Sequence, residues 1–221
     1  MPGPALQPPA LTILHADASL LVIDKPSGLL AVPGRGAALQ DCVASRAQAL
    51  YADALVVHRL DMATSGLMLL ARGPAAQRRL SIAFARREVE KRYVALVAGL
   101  LPAPPGDGWA EIDLPLGADW PQRPRQRVDR ANGKPSQTRF RVLAHDPQRA
   151  CSRVELQPLT GRSHQLRVHL LALGHPILGD ALYAPLDVQA QAPRLLLHAS
   201  GLTLAHPASG ERIHFRSEPP F

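Results

Sequence analysis

The sequence predicts an α+β fold with a mixed, mainly antiparallel central sheet. Three observations point to it. Apolar or alternating runs of strand length recur along the whole chain. Two of them are separated only by a turn, and just three segments with helical spacing lie between the others.

In chain order, Leu20-Leu-Val-Ile-Asp24 is a short apolar run that ends in the turn signal Lys25-Pro-Ser-Gly28, and it reads as a buried strand. Asp41 to Tyr51 is Ala-rich, with Val43, Ala47 and Leu50 spaced for a helix. Gly66 to Ala71 is a second buried strand. Pro74 suits the first turn of a helix whose apolar stripe is Ala76, Leu80, Ala83 and Phe84. Lys91 to Gly99 alternates as a half-buried strand with Tyr93, Ala95 and Val97 on one face. Leu101 to Gly108 is rich in Pro and Gly and reads as a loop. Ser136 to His145 and Ala150 to Pro158 form a hairpin or meander that turns at Asp146-Pro-Gln. Ser163 is placed to cap a helix running to Leu173, ended by Gly174 and Pro176. Strands near 194–204 and 212–215 complete one domain over 11–221, preceded by a short Pro-rich tail over 1–10.

A chain of 221 residues buries a sizeable core without disulfide or metal staples. With 46% hydrophobic and 19% charged residues, it is an ordinary globular sequence rather than a disordered one. Its two cysteines, Cys42 and Cys151, exclude a disulfide scaffold and a cysteine-rich zinc site, and they suit a reducing cytoplasm. The first ten residues hold no basic residue before an apolar stretch, so no signal peptide is expected. No stretch is long and apolar enough for a transmembrane span. A cytoplasmic monomer is the expectation.

Charge narrows the partners. Lys plus Arg number 25 against 18 acids, a formal net charge of +7. Only Lys25, Lys91 and Lys134 among those cations are lysines. An Arg excess suits phosphate recognition, because the guanidinium fork matches phosphate oxygens. A GC-rich genome would produce the same skew, in line with the plentiful Ala, Gly and Pro. The net charge itself points to a polyanion. The segment 121–141 holds Arg123, Arg125, Arg127, Arg130, Lys134, Arg139 and Arg141 against Asp129 alone, so nearly the whole excess sits there. Two Trp, three Tyr and four Phe, none clustered, exclude an aromatic stacking platform of the RRM or OB type.

Two clusters carry candidate chemistry. His58-Arg-Leu-Asp-Met-Ala-Thr-Ser-Gly66 precedes a buried strand, where a rigid element can hold functional groups. On spacing alone, Asp61, Thr64 and Ser65 read more readily as a hydrogen-bonded turn. Thr160-Gly-Arg-Ser-His-Gln-Leu-Arg-Val-His169 turns into a helix N-terminus, a natural anion site, with Arg162 beside the turn. His164 and His169 are five apart, a poor spacing for a helical metal pair. A Walker loop, a complete dinucleotide fingerprint and a nucleophile elbow are all missing.

These stretches, taken in order, are similar to the RluA-type pseudouridine synthases. The resemblance rests on His58 to Gly66, Lys25-Pro-Ser-Gly-Leu-Leu-Ala-Val-Pro-Gly34, Lys91-Arg-Tyr-Val-Ala-Leu-Val-Ala-Gly99 and Thr160 to Leu170. Gly174-His-Pro-Ile-Leu-Gly-Asp180 and Arg194-Leu-Leu-Leu-His198 agree as well. It implies the pseudouridine synthase fold and isomerisation of uridine in RNA to pseudouridine, without cofactor or metal. Asp61 matches the catalytic aspartate, which breaks the N1–C1′ bond by attacking the sugar or by abstracting a sugar proton. The detached uracil then rotates and rejoins through C5. Tyr93 matches the tyrosine packed against the target base, and Arg162 the arginine paired with the catalytic carboxylate. Arg59 matches the arginine proposed to fill the gap left by the flipped nucleotide. An adjacent guanidinium lowers an aspartate pKa by roughly 1–3, keeping it ionised at neutral pH. Flipping the base costs a few kcal/mol, which phosphate contacts from Arg123, Arg125 and Arg127 would offset.

Ser163 stands where many relatives have Thr. The length leaves no room for an S4-type RNA-binding domain. Ala118-Asp-Trp-Pro-Gln-Arg-Pro124 and Gly133-Lys-Pro-Ser-Gln-Thr138 are most similar to a family member with two substrates. Those are a 23S rRNA hairpin loop and the first anticodon-loop position of certain tRNAs. Both RNAs are therefore expected partners. An enzyme acting on rRNA only, and a non-catalytic RNA-binding protein or RNA chaperone, are the alternatives.

Overall fold

The structure is a computed structural model that describes residues 10–105 and 108–221. Of the Pro-rich tail, residues 1–9 lie outside the described residues, as do positions 106 and 107 of the predicted loop.

Among the described residues the chain forms twelve strands and four α-helices. In order they are β1 (Thr12–Ala16), β2 (Leu20–Lys25), α1 (Val43–Leu50), β3 (Ala54–Val56), β4 (Ser65–Arg72), α2 (Gly73–Ala85), β5 (Glu90–Ala98) and β6 (Ala110–Asp113). There follow β7 (Leu116–Ala118), β8 (Gln126–Val128), β9 (Gln137–Asp146), β10 (Cys151–Pro158), α3 (Gln165–Ala172), α4 (Leu186–Gln189), β11 (Leu197–Ala205) and β12 (Arg212–Arg216).

Ten strands make one sheet in the order β1-β2-β4-β11-β5-β10-β9-β6, with β3 also paired to β4 and β12 to β11; β7 and β8 form a separate ribbon. Every pairing in the large sheet is antiparallel except β4 with β11. That parallel contact is short, Ser65 beside His198 and Gly66 beside Ala199. Gly66 has φ +104, and a Cβ there would run into the Ala199 backbone. Glycine thus lets the end of the His58–Gly66 segment press against β11.

Two apolar clusters flank the middle of the sheet. One gathers β2, β4, α1 and α2 around Leu20, Ile23, Leu67, Leu69, Leu70 and Leu80; the other gathers β5, β10, β11 and α3 around Val97, Val154, Leu156, Leu170 and Ile177. Each fully buried Leu or Ile contributes about 1.5–3 kcal/mol. Tyr93 packs against both clusters and so stands at their junction.

Several elements differ from the sequence reading. Val94 to Val97 is buried on both faces because β5 is central, so that strand is not half-buried. Strand β1 was not predicted; its alternate positions stay exposed and its Leu14 points outward. Ser163 does not cap α3. The residue preceding that helix is His164 in the left-handed conformation (φ 54°), with no side-chain cap of its own. The Gln165 side chain instead accepts the Arg162 backbone N–H at 3.0 Å and the Thr160 hydroxyl at 2.7 Å.

The basic segment is also not one patch. Arg139 and Arg141 lie on β9 with their guanidinium groups 5.2 and 4.9 Å from the Trp109 ring, together with Arg92 at 4.9 Å. Arg123, Arg125 and Arg127 belong to the β7–β8 ribbon and its connection.

Candidate active site

The loop between β3 and β4 places Asp61 on the wall shared by two cavities, of about 620 and 1160 Å³. The loop is clamped by the turn after β2. Lys25, fully buried, donates from Nζ to the carbonyls of Pro26, Leu29 and Met62 at 2.9, 2.8 and 3.0 Å. The Gly28 N–H also reaches Met62 O (2.8 Å), and Ser27 Oγ donates to Ala63 O (2.7 Å). Within the loop, the Asp61 carbonyl accepts the Thr64 N–H at 3.1 Å. The segment therefore is a hydrogen-bonded turn and also presents a side chain to a cavity. Burial lowers the Lys25 pKa to about 8, with the Asp61 charge acting in the opposite direction.

Arg167 supplies the guanidinium beside the Asp61 carboxylate, its Nη1 3.6 Å from Oδ2. Arg167 is held in turn by Asp180, through Nε at 2.8 Å and Nη2 at 2.6 Å, a bidentate fork in which both side chains are buried. Arg162 does not make the expected contact. The left-handed turn at His164 leaves it outside α3, exposed, with Nε donating to Pro135 O at 3.3 Å. It lines the smaller cavity without pairing with Asp61.

His164 is the second group at Asp61, with Nε2 3.9 Å from Oδ2. Its tautomer follows from its other neighbour. Tyr183 Oη accepts the Gln126 N–H (2.8 Å) and lies 2.6 Å from His164 Nδ1. With the phenol hydrogen donated to Nδ1, the remaining N–H sits on Nε2, facing Asp61. Burial lowers the His164 pKa while Asp61 opposes that shift, so the ring is neutral at pH 7.

Tyr93, on β5, lines the same cavity, and burial followed by the Asp61 charge raises its phenol pKa. It is a neutral hydroxyl on a flat ring, not a phenolate. His58 forms part of the wall, stacked on Phe84 at 4.5 Å with Nε2 accepting the Leu69 N–H at 2.9 Å. Burial and then the charge of Lys91 push its pKa down to about 3, so it stays neutral. Arg59, Arg87, Lys91, Arg162 and Arg167 line this cavity with Asp61 as its single carboxylate. A site of that composition attracts an anion and offers one carboxylate for chemistry.

Arg59 is exposed and lines both cavities. Of the three ribbon arginines, only Arg123 lines the larger one, its guanidinium 3.4 Å from the Trp120 ring centroid. Arg125 donates to Gln122 Oε1 at 2.7 Å, and Arg127 lies 3.9 Å from Asp129. Sequence reasoning missed Arg167 and His164 as partners of Asp61, and Tyr183 as the partner of His164. Arg167 and His164 lie in the Thr160–His169 stretch it singled out, but that Arg167 and not Arg162 faces Asp61 depends on one left-handed residue.

Comparison with known proteins identifies the family. The profile of the RNA pseudouridylate synthase family matches residues 19–172. The dual-specificity RNA pseudouridine synthase RluA of Escherichia coli K12 is 51% identical over 215 residues, covering 97% of this chain and 96% of that protein. Its namesake in Yersinia pestis is 48% identical, covering 96% and 100%. The structure of human RNA pseudouridylate synthase domain containing 1 superposes with a TM-score of 0.78 at 29% identity, covering 98% of this chain and 87% of that one. A profile spanning most of the chain, with relatives about half identical over nearly their full length, establishes that this chain belongs to the RNA pseudouridylate synthase family.

Proposed function

We propose that the chain isomerises uridines in both 23S rRNA and tRNA, with Asp61 as the catalytic residue. The observation that carries the reading is one carboxylate in a cavity whose other charged residues are all cations, with Tyr93 on the same wall. The target uridine leaves its stack and enters the cavity beside the Tyr93 ring. Asp61 acts on the nucleotide so that the N1–C1′ bond breaks and its electron pair goes to the uracil. The ring turns, C5 bonds to C1′, C5 loses its proton and N1 gains one. Arg167 orients the carboxylate until it reacts. The neutral Nε2–H of His164 adds a donor on the same side. Tyr93 contributes its ring face and its hydroxyl as a hydrogen bond, since a buried phenol is a poor base at neutral pH. The cavity wall retains the free uracil until it rejoins.

Similarity to dual-specificity enzymes supports the pair of substrates, and Arg59 and Arg123 at the larger cavity supply contacts for the RNA beside the target. Tritium release from RNA labelled at uridine C5 tests the chemistry. Asp61→Asn is expected to abolish release while RNA affinity stays within a few-fold; undiminished release overturns the assignment. Mapping pseudouridines in rRNA and tRNA from cells lacking the gene tests the substrates, and loss from one RNA alone removes the dual specificity.

A further inference from the structure

The far side of the Asp61 loop carries a second set of hydrogen bonds. Ser65, the first residue after the loop, places Oγ 2.9 Å from His198 Nδ1. His198 Nε2 lies 3.0 Å from Ser217 Oγ, and Ser217 Oγ donates to Asp24 Oδ2 at 2.9 Å. Ser65, His198 and Ser217 are 5, 1 and 8% exposed, so water does not substitute for these partners.

The hydrogens along this chain have one consistent arrangement. A carboxylate only accepts, so the Ser217 hydrogen goes to Asp24, and the Ser217 lone pair accepts His198 Nε2–H. Burial keeps the imidazole neutral, which makes Nδ1 an acceptor for the Ser65 hydrogen. The Ser65 lone pair then receives Arg194 Nη1 at 3.2 Å. The Leu197 carbonyl, at 3.5 Å, is a more distant competitor for the Ser65 hydrogen. The chain thus runs from Arg194 through Ser65, His198 and Ser217 to Asp24.

Its end meets the clamp on the opposite side of the loop. Asp24 is followed by Lys25, which holds Met62 O, and Met62 is the residue after Asp61. Starting at Asp61, a closed circuit runs through Ser65, His198, Ser217, Asp24, Lys25 and Met62. Both ends of the short segment that aims the carboxylate are therefore tied to strands β2 and β11.

We propose that His198 and Ser217 are positioning residues for the reaction at Asp61, acting through Ser65 without touching substrate. This rests on the reading of Asp61 as the catalytic residue. A reacting group displaced by 1 Å loses on the order of 10²-fold in rate. Breaking the circuit therefore lowers turnover more than it lowers RNA binding.

Ser217→Ala opens the circuit between His198 and Asp24, and Ser217→Thr retains the hydroxyl. The expected result for Ser217→Ala is a kcat reduced ten-fold or more with RNA affinity within two-fold, and for Ser217→Thr a kcat within three-fold of the parent. Ile112→Val, a core change on the distant strand β6, controls for general loss of stability and leaves kcat unchanged. A Ser217→Ala kcat within two-fold of the parent, or one no lower than Ser217→Thr, overturns the positioning role. So does an equal loss in Ile112→Val. Asp61→Asn is assayed alongside. If it retains turnover, the reading of the active site has failed; if it is inactive while Ser217→Ala keeps kcat within two-fold of the parent, only the positioning role falls.

Discussion

Arg167 is shared between two carboxylates on unequal terms: its Nε and Nη2 bind Asp180 at 2.8 and 2.6 Å, while its Nη1 stands 3.6 Å from Asp61. Asp180 fixes the guanidinium and leaves one edge turned to the Asp61 carboxylate. Lysine offers a point charge instead of a fork and cannot serve both acids. Arg167→Lys is expected to lower kcat by about 10²-fold, the scale of misplacing a reacting group. Asp180→Asn strands a buried guanidinium and is expected to cost about 3–5 kcal/mol in urea unfolding. Unchanged turnover in the first and unchanged stability in the second would separate this pair from the site.

Arg162 makes a contrasting case. It is exposed at the rim of the cavity and bonded to Pro135 O, so its removal leaves the immediate surroundings of Asp61 intact. Arg162→Ala should weaken RNA binding several-fold with kcat within about three-fold, whereas Arg167→Lys should do the reverse. Single-turnover kinetics at saturating enzyme distinguish them. A collapse of the chemical step in Arg162→Ala would mean that Arg162 moves onto Asp61 when RNA binds.

Lys25 is expected to set a basic limit on activity. Below its pKa of about 8 the ammonium has three N–H groups for three carbonyls; above it, the amine retains two. The Met62 tether then weakens, and kcat is expected to fall above pH 8. Stability moves the other way for this group. Between about 8 and its ordinary value of 10.5, the unfolded chain binds a proton that the native protein does not, so its contribution to stability rises with pH. Loss of turnover without loss of melting temperature between pH 7 and 9 is the expected signature. A flat rate profile would remove Lys25 from control of the loop.

The ribbon arginines are proposed to set the salt dependence of RNA binding. Neutralising Arg123, Arg125 and Arg127 together is expected to flatten the slope of log affinity against log salt, by about 0.7–0.9 for each phosphate that no longer meets a cation. Arg123→Gln alone should account for most of the change, because it lines the larger cavity while Arg127 stands near Asp129 and Arg125 is bound to Gln122. An unchanged slope in the triple variant would take the ribbon out of the RNA interface.

The sequence by itself determined the α+β class, the buried strands β2 and β4, the β9–β10 hairpin, helix α2 and the loop that carries Asp61. Each of these is written in neighbouring residues: apolar runs, a Pro at a helix start, a turn at Asp146, a polar cluster before a strand. Only the tertiary structure decided which cation faces Asp61. The left-handed backbone at His164 turns Arg162 outward and lets the helix bring Arg167 in, and no local pattern encodes that choice. It also divided the basic 121–141 segment, because β9 carries Arg139 and Arg141 to Trp109, away from the ribbon. The circuit from Ser65 through His198 and Ser217 to Asp24 joins positions up to 193 residues apart. Such pairings arise from strand order, which is set by the summed burial of the whole sheet and not by the residues that meet.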